Sequence, residues 1–241
     1  MKNIKNLFFY WYYNYYRPKI FFSKKTYSSY GEDIFINSFF KNKKKGFYLD
    51  VGAYHPLHGS NTYLLYKKKN WEGINIDVNS LSIELFEKAR KKDLNINIGI
   101  SNKKGVVKLY FRKQINMLNT LSKKMAKANF RNGFQEKKIK TNTLNNILNR
   151  SKYRNKKIDF FNLDVEGNEL NVLKSLNFKK YQPSLICVEI HNHEEMFNHI
   201  NTDYLKRNPI NKFLIKKKYK IVWSNKFSYI YKSKKYHAKL G

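Results

Sequence analysis

A single cysteine, Cys187, stands among 241 residues, so no disulfide can form within the chain. Its neighbours, SLICVEI, read as a buried strand in which a thiol is a small core residue. No Cys/His spacing resembles a zinc site, and a reducing, cytoplasmic setting is the expectation. Carboxylates are scarce as well, with 17 Asp and Glu against 49 Lys and Arg and a net charge of +32. Such a chain is drawn to phosphate, anionic lipid or acidic polysaccharide, but attraction alone does not make a nucleic-acid site. Nor does any apolar run suit a bilayer span. The first 22 residues, MKNIKNLFFYWYYNYYRPKIFF, are rich in Tyr, broken by Asn14, and lack a small-residue cleavage site. Their Tyr and Trp lie among Lys and Arg, a mix that favours a membrane interface. Peripheral membrane contact through residues 1–22, a packed extension, and an element touching a partner all remain open. Residues 1–26 therefore read as a basic, aromatic extension and 27–235 as one domain. Last, G-x-G-x-x-G is missing. DVGAYHP carries one glycine, which disfavours a pyrophosphate cofactor.

What is present is an alternation. Residues 30–41 have apolar positions at helical spacing, with acids in the first turn. GFYLDVGA then reads as a strand ending near Gly52, TYLLYKK (62–68) as a helix, and GINIDVN (73–79) as a second strand. SIELFEKARKK (82–92) is a helix capped by Ser80 or Ser82, and LNINIGIS (94–101) a third strand. Apolar strands alternating with helices predict a mostly parallel sheet of seven strands, covered on both faces. KGVVKLYFR (104–112) alternates like an edge or hairpin strand, and residues 113–135 are polar, either a lid or an insertion. A strand and a short helix capped near Thr141 or Asn142 follow in 137–150. IDFFNLDV (158–165) and PSLICVEI (183–190) are further core strands, helical material spans 194–216, and KKYKIVWSN with KFSYIYK forms a final antiparallel pair.

Four of the 17 acids fall within residues 159–170, DFFNLDVEGNEL. Open α/β sheets bind ligands beyond the carboxyl ends of their strands. Here four such ends are polar: Asp50-Val51-Gly52, Asp77-Val78-Asn79, Asp164-Val165-Glu166-Gly167 and Glu189-Ile190-His191. Gly52 would let backbone come close to a ligand. Asp77 would accept both hydroxyls of a ribose, or else cap the next helix. A cofactor with a ribose, no pyrophosphate and a cationic head would suit these acids, as S-adenosylmethionine does. Asp164 and Glu166 face the site. Glu169 is structural in the first helical turn, and Asp159 marks the strand's entry. Glu166, Asp164 and His191 are the candidate bases, His191 because imidazole titrates near neutrality. The spacing of His55, His58, His191 and His193 does not diagnose a metal, and none is expected.

The ordered set GFYLDVGAYHPLHGSNTYLLYKKKNWEGINIDVN, NINIGIS, IDFFNLDVEGNELNVLKS and SLICVEIHNH resembles the FkbM family of methyltransferases over residues 27–195. The resemblance implies a Rossmann-like class I fold that binds S-adenosylmethionine. It also implies O-methylation of a hydroxyl, often in a glycan or glycolipid sugar. By it, Asp50, Gly52, Ala53 and Tyr54 surround the methionine part, and Asp77 and Val78 the ribose. Asn79, Gly99 and Ile100 border the adenine. The acceptor is expected to be a sugar or another hydroxyl-bearing molecule, with the Lys runs congenial to a linked phosphate. The basic charge keeps a nucleic-acid methyltransferase as an alternative. The amine-methylating N/D-P-P-Y tetrad is absent, however, DVEG standing in its place, so nucleic acid is not the expected partner. A non-catalytic binding protein docked on a membrane is the third reading.

Overall fold

The computed structural model describes Phe8, Tyr12 and residues 26–236 except 114–115, 192–201 and 226. His193 and most of residues 1–22 thus lie outside the described residues, as does the membrane contact expected of them. Among the described residues, no helix is long and apolar enough to cross a membrane.

The first helix, α1 (Glu32–Phe39), packs beside α2 (Tyr63–Lys69). The main sheet takes β1 (Phe47–Val51), β2 (Glu72–Asp77), β3 (Leu94–Asn97), β7 (Phe160–Leu163), β8 (Leu185–Glu189), β9 (Tyr219–Asn225) and β10 (Ser228–Ser233). Their spatial order is β3-β2-β1-β7-β8-β10-β9. The first five run parallel, while β10 is antiparallel to both β8 and β9. The chain leaves β1 in one direction and returns on its other side at β7. The strand order therefore reverses between β1 and β7, and a crevice opens there.

The central strands read as continuous apolar runs because both faces are covered. Leu49, Phe161 and Ile186 pack on one side, and Tyr48, Phe160 and Cys187 on the other. Each such fully buried side chain is worth roughly 1.5–3 kcal/mol of transfer free energy. Cys187 is the core residue its neighbours suggested.

Several sequence expectations need correction. Residues 94–101 are not one strand. β3 ends at Asn97, and β4 (Gly99–Ile100) joins a second sheet of order β4-β6-β5, with β5 (Gly105–Phe111) and β6 (Gln135–Asn142) antiparallel. A run of alternating apolar residues does not reveal which sheet its bonds enter. Between β5 and β6 lies α4 (Lys123–Asn129). The cap of α3 (Ser80–Ala89) is Asn79, whose side chain accepts from the Leu81 N–H at 3.0 Å, not Ser80 or Ser82. That of α5 (Leu144–Arg150) is Thr143 rather than Thr141 or Asn142. The chain continues through α6 (Glu169–Lys174), α7 (Thr202–Arg207) and α8 (Pro209–Lys216).

Candidate active site

Beyond the carboxyl ends of β1, β2 and β7 lies a cavity lined by Asp50, Asp77, Asp164 and Glu166 and, among the described residues, by no lysine or arginine. In a chain with 49 basic residues that omission is itself a structural feature. Ala53, Tyr54, Val78, Asn79 and Ile100 also line it, as expected. Gly99 does not: it faces the second sheet, where a Cβ would meet Ile139 and Thr141 at 3.0 Å. Its place in the wall is taken by Ile98 and Ile100.

The β1 end is held by its neighbours. Asp50 is buried, and accepts from Thr62 Oγ1 at 2.7 Å and from Asn162 Nδ2 at 2.9 Å. Burial raises its pKa, while these two bonds and the Arg90 charge pull it down. Gly52 has φ of +80°, and a Cβ on it would lie 1.6 Å from the Asp164 carbonyl oxygen. The close approach it permits is thus to the end of β7, and only a glycine fits.

Asp77 ends β2. The Tyr54 N–H donates to Oδ2 at 2.9 Å and the Asn79 N–H to Oδ1 at 2.7 Å, so the carboxylate is fixed in direction. Burial nevertheless pushes its pKa up to about 6, with the Asp50 charge adding to the rise. It is not the helix cap, since Asn79 fills that role. Each oxygen retains a lone pair for a hydroxyl donor. The residues therefore suit S-adenosylmethionine: a ribose acceptor at β2 and, for a positively charged head, acids in a lining that holds no lysine or arginine among the described residues.

The fourth and fifth strand ends meet. His191 Nε2 lies 3.0 Å from Glu189 Oε2 and 3.5 Å from Glu166 Oε2. Asp164 and Glu189 share a hydrogen bond. Crowding of its carboxyl by neighbouring atoms, then the charges of Glu189 and Glu166, hold Asp164 above the usual carboxylate range, although the residue itself is exposed. Glu166 is only 6% exposed, and burial together with the Glu189 charge pushes it up to about 7. For His191, burial opposes charging, but bonding to Glu189 and the charges of Glu189, Glu166 and Glu169 outweigh it, raising the pKa to about 9. That shift favours the imidazolium at neutral pH. Among the described residues, Glu166, Glu189 and His191 alone bring possible metal-donor atoms within 4.8 Å of one another. His55 and His58 stack on each other at 5.0 Å in the loop after β1, where the His55 Nδ1 accepts from the Leu57 and His58 N–H groups.

Two assignments hold in detail. Glu169 Oε1 accepts from the Val165 and Gly167 N–H groups, a structural role at the start of α6. Asp159 accepts from the Phe47 N–H at 3.0 Å and pairs with Lys43 at 2.9 Å, at the entry to β7. Asn61, Asn116, Met117, Asn119 and Asn162, which the sequence did not single out, also line the cavity. Asn162 carried a signal, as the polar residue inside FFNLDV. Asn116 and Asn119 carried none, because their approach depends on how the second sheet folds back.

The methyltransferase FkbM domain model matches residues 50–208. No curated protein matches the chain. Among solved structures, a Methanococcus maripaludis protein provisionally assigned as an S-adenosyl-L-methionine-dependent methyltransferase aligns over 92% of this chain and 100% of its own. Identity there is 11% and the TM-score 0.34.

Proposed function

From the premise that the chain belongs to the FkbM family of S-adenosylmethionine-dependent methyltransferases, we propose that its acceptor is a hydroxyl oxygen, that of a sugar in a glycan or glycolipid. The observation that carries this reading is Glu166, a buried carboxyl on the cavity wall that changes protonation near neutral pH. A hydroxyl must lose its proton as its oxygen gains a methyl group, and a base of matched pKa contributes typically 10²–10⁴-fold. Bound S-adenosylmethionine supplies a methyl group already activated on a sulfonium. The residues of the chain do the rest. Asp77 takes the ribose hydroxyls. The Gly52 and Asp164 backbones, packed on each other, fix the floor. Asn61, Asn116, Asn119 and Asn162 offer amides that suit a polyol. Glu166 would take the proton that the acceptor hydroxyl gives up when its oxygen gains the methyl group. His191 lies against Glu189 and Glu166, and its charge favours their ionised forms.

The cavity has no cation for a phosphate, so on this reading a phosphate-linked acceptor places its sugar inside and its phosphate among the exterior lysines. Labelled methyl transfer to a panel of neutral, phosphate-linked and acidic sugars tests the proposal. Incorporation only into acids or amines, or none into any sugar, would remove it. The basic, aromatic residues 1–22 would serve such an enzyme by docking at anionic lipid. Deleting residues 1–26 should then abolish liposome binding, and unchanged binding discards that part.

A further inference from the structure

One part of the chain stands outside the alternating strand and helix pattern: β5, residues 116–122, α4 and β6. It converges on a single residue of the main sheet's crevice. Asn129, the last residue of α4, donates Nδ2 to Glu166 Oε2 at 3.3 Å, the same oxygen that faces His191. Thr120 Oγ1 donates to the Glu166 backbone carbonyl. Met125 fills the space beside Gly167, where a Cβ would come within 2.3 Å of its Cγ. Glu166 itself has φ of +55°, a left-handed conformation that a side chain bearing a Cβ adopts only when its surroundings impose it. The same unit also lines the cavity, through Asn116, Met117 and Asn119. Wall and brace are therefore one piece of chain.

We propose that Asn129 is a positioning residue: it holds the Glu166 carboxylate toward the acceptor, so that the seating of the inserted unit decides whether the base is competent. This rests on the reading of Glu166 as the base. The groups facing Glu166 from other elements are Glu189 and His191 at the end of β8, Asp164 at the end of β7, and Glu169 in α6. The Glu169 carboxylate is spent on two backbone N–H groups. Asn129 is the neutral donor that the inserted unit adds to this set. A donor to the ionised form lowers a carboxyl's proton affinity, and losing it raises that affinity.

The test is the dependence of kcat on pH in the full chain, for the wild type, Asn129→Leu and Asn129→Asp, with the KM for S-adenosylmethionine measured alongside. Leu keeps the bulk without the donor, and Asp adds a like charge at nearly constant shape. The rising limb should move up by on the order of half a pH unit to one unit in Asn129→Leu, and further in Asn129→Asp. Activity then falls at pH 7 and recovers toward the wild-type plateau at about pH 8.5, while the KM for the methyl donor stays within about twofold. A limb that stays in place in both variants, with kcat merely scaled down, overturns the proposal. If Asn129→Leu fails to fold, as loss of cofactor binding would show, the limb of Asn129→Asp decides alone. Wild-type activity in Glu166→Gln would instead remove the base reading beneath it, so the two failures are distinguishable.

Discussion

The two ends of the parallel strands treat the same residue types in opposite ways. At the amino end lies a depression lined by Lys45, Lys92, Lys156 and Lys157, with Glu72 and Asp159 among them. Each of these acids has a lysine partner, Lys156 for Glu72 and Lys43 for Asp159. The hydrogen bond from Lys156 holds Glu72 below the usual carboxylate range, against a small opposing effect of burial. At the carboxyl end no lysine or arginine among the described residues lines the cavity, and burial drives Asp77 and Glu166 upward. A chain carrying 49 basic residues could have neutralised every acid. Withholding cations from one end creates carboxyls that exchange protons near neutral pH, and that is where catalytic groups are found.

The contrast predicts unequal responses. The largest belongs to Glu166→Gln, which keeps the shape and removes the base: kcat should fall about 10²–10⁴-fold while calorimetry finds cofactor affinity unchanged. Next comes Asp77→Ala, which removes an ionised acceptor for two hydroxyls. Affinity for S-adenosylmethionine should drop at least about tenfold, since hydrogen bonds to charged groups are worth roughly 1.5–3 kcal/mol each. Wild-type affinity would mean that the ribose lies elsewhere. Third is the pH dependence of that affinity. The free carboxyl of Asp77 has its pKa raised to about 6, and the ionised form is the better acceptor. Affinity should be flat above about pH 6.5 and weaken about tenfold per unit below 6, a slope that Asp77→Asn abolishes. The smallest effect belongs to the other end: Lys156→Met breaks a partly exposed pair and should cost no more than about 1 kcal/mol in urea denaturation, with kcat untouched. A large loss of activity there would erase the distinction between the two ends.

Much of this was legible in the chain because the strands carry it locally. The run before Asp50, the one before Asp77 and IDFFNLDV announce buried strands by themselves, and their polar last residues announce a crevice. The resemblance to the FkbM family rests on those same blocks. The sequence was silent wherever the answer depends on contacts between elements. That β4 leaves the main sheet is decided by its pairing with Thr141 and Asn142, some forty residues on. The proximity of His191 to Glu189 and Glu166, which raises its proton affinity, arises only when β7 and β8 lie side by side. Gly52 lines the cavity, but its close contact with the Asp164 carbonyl could not be read from the sequence.

The want of cations in the cavity also bears on turnover. S-adenosylmethionine arrives with a positive sulfur and leaves, once its methyl group is gone, as a neutral thioether. The carboxylates of Asp50 and Asp77, in a lining with no lysine or arginine among the described residues, should therefore hold the donor more tightly than the thioether, an outcome that calorimetry with both compounds checks.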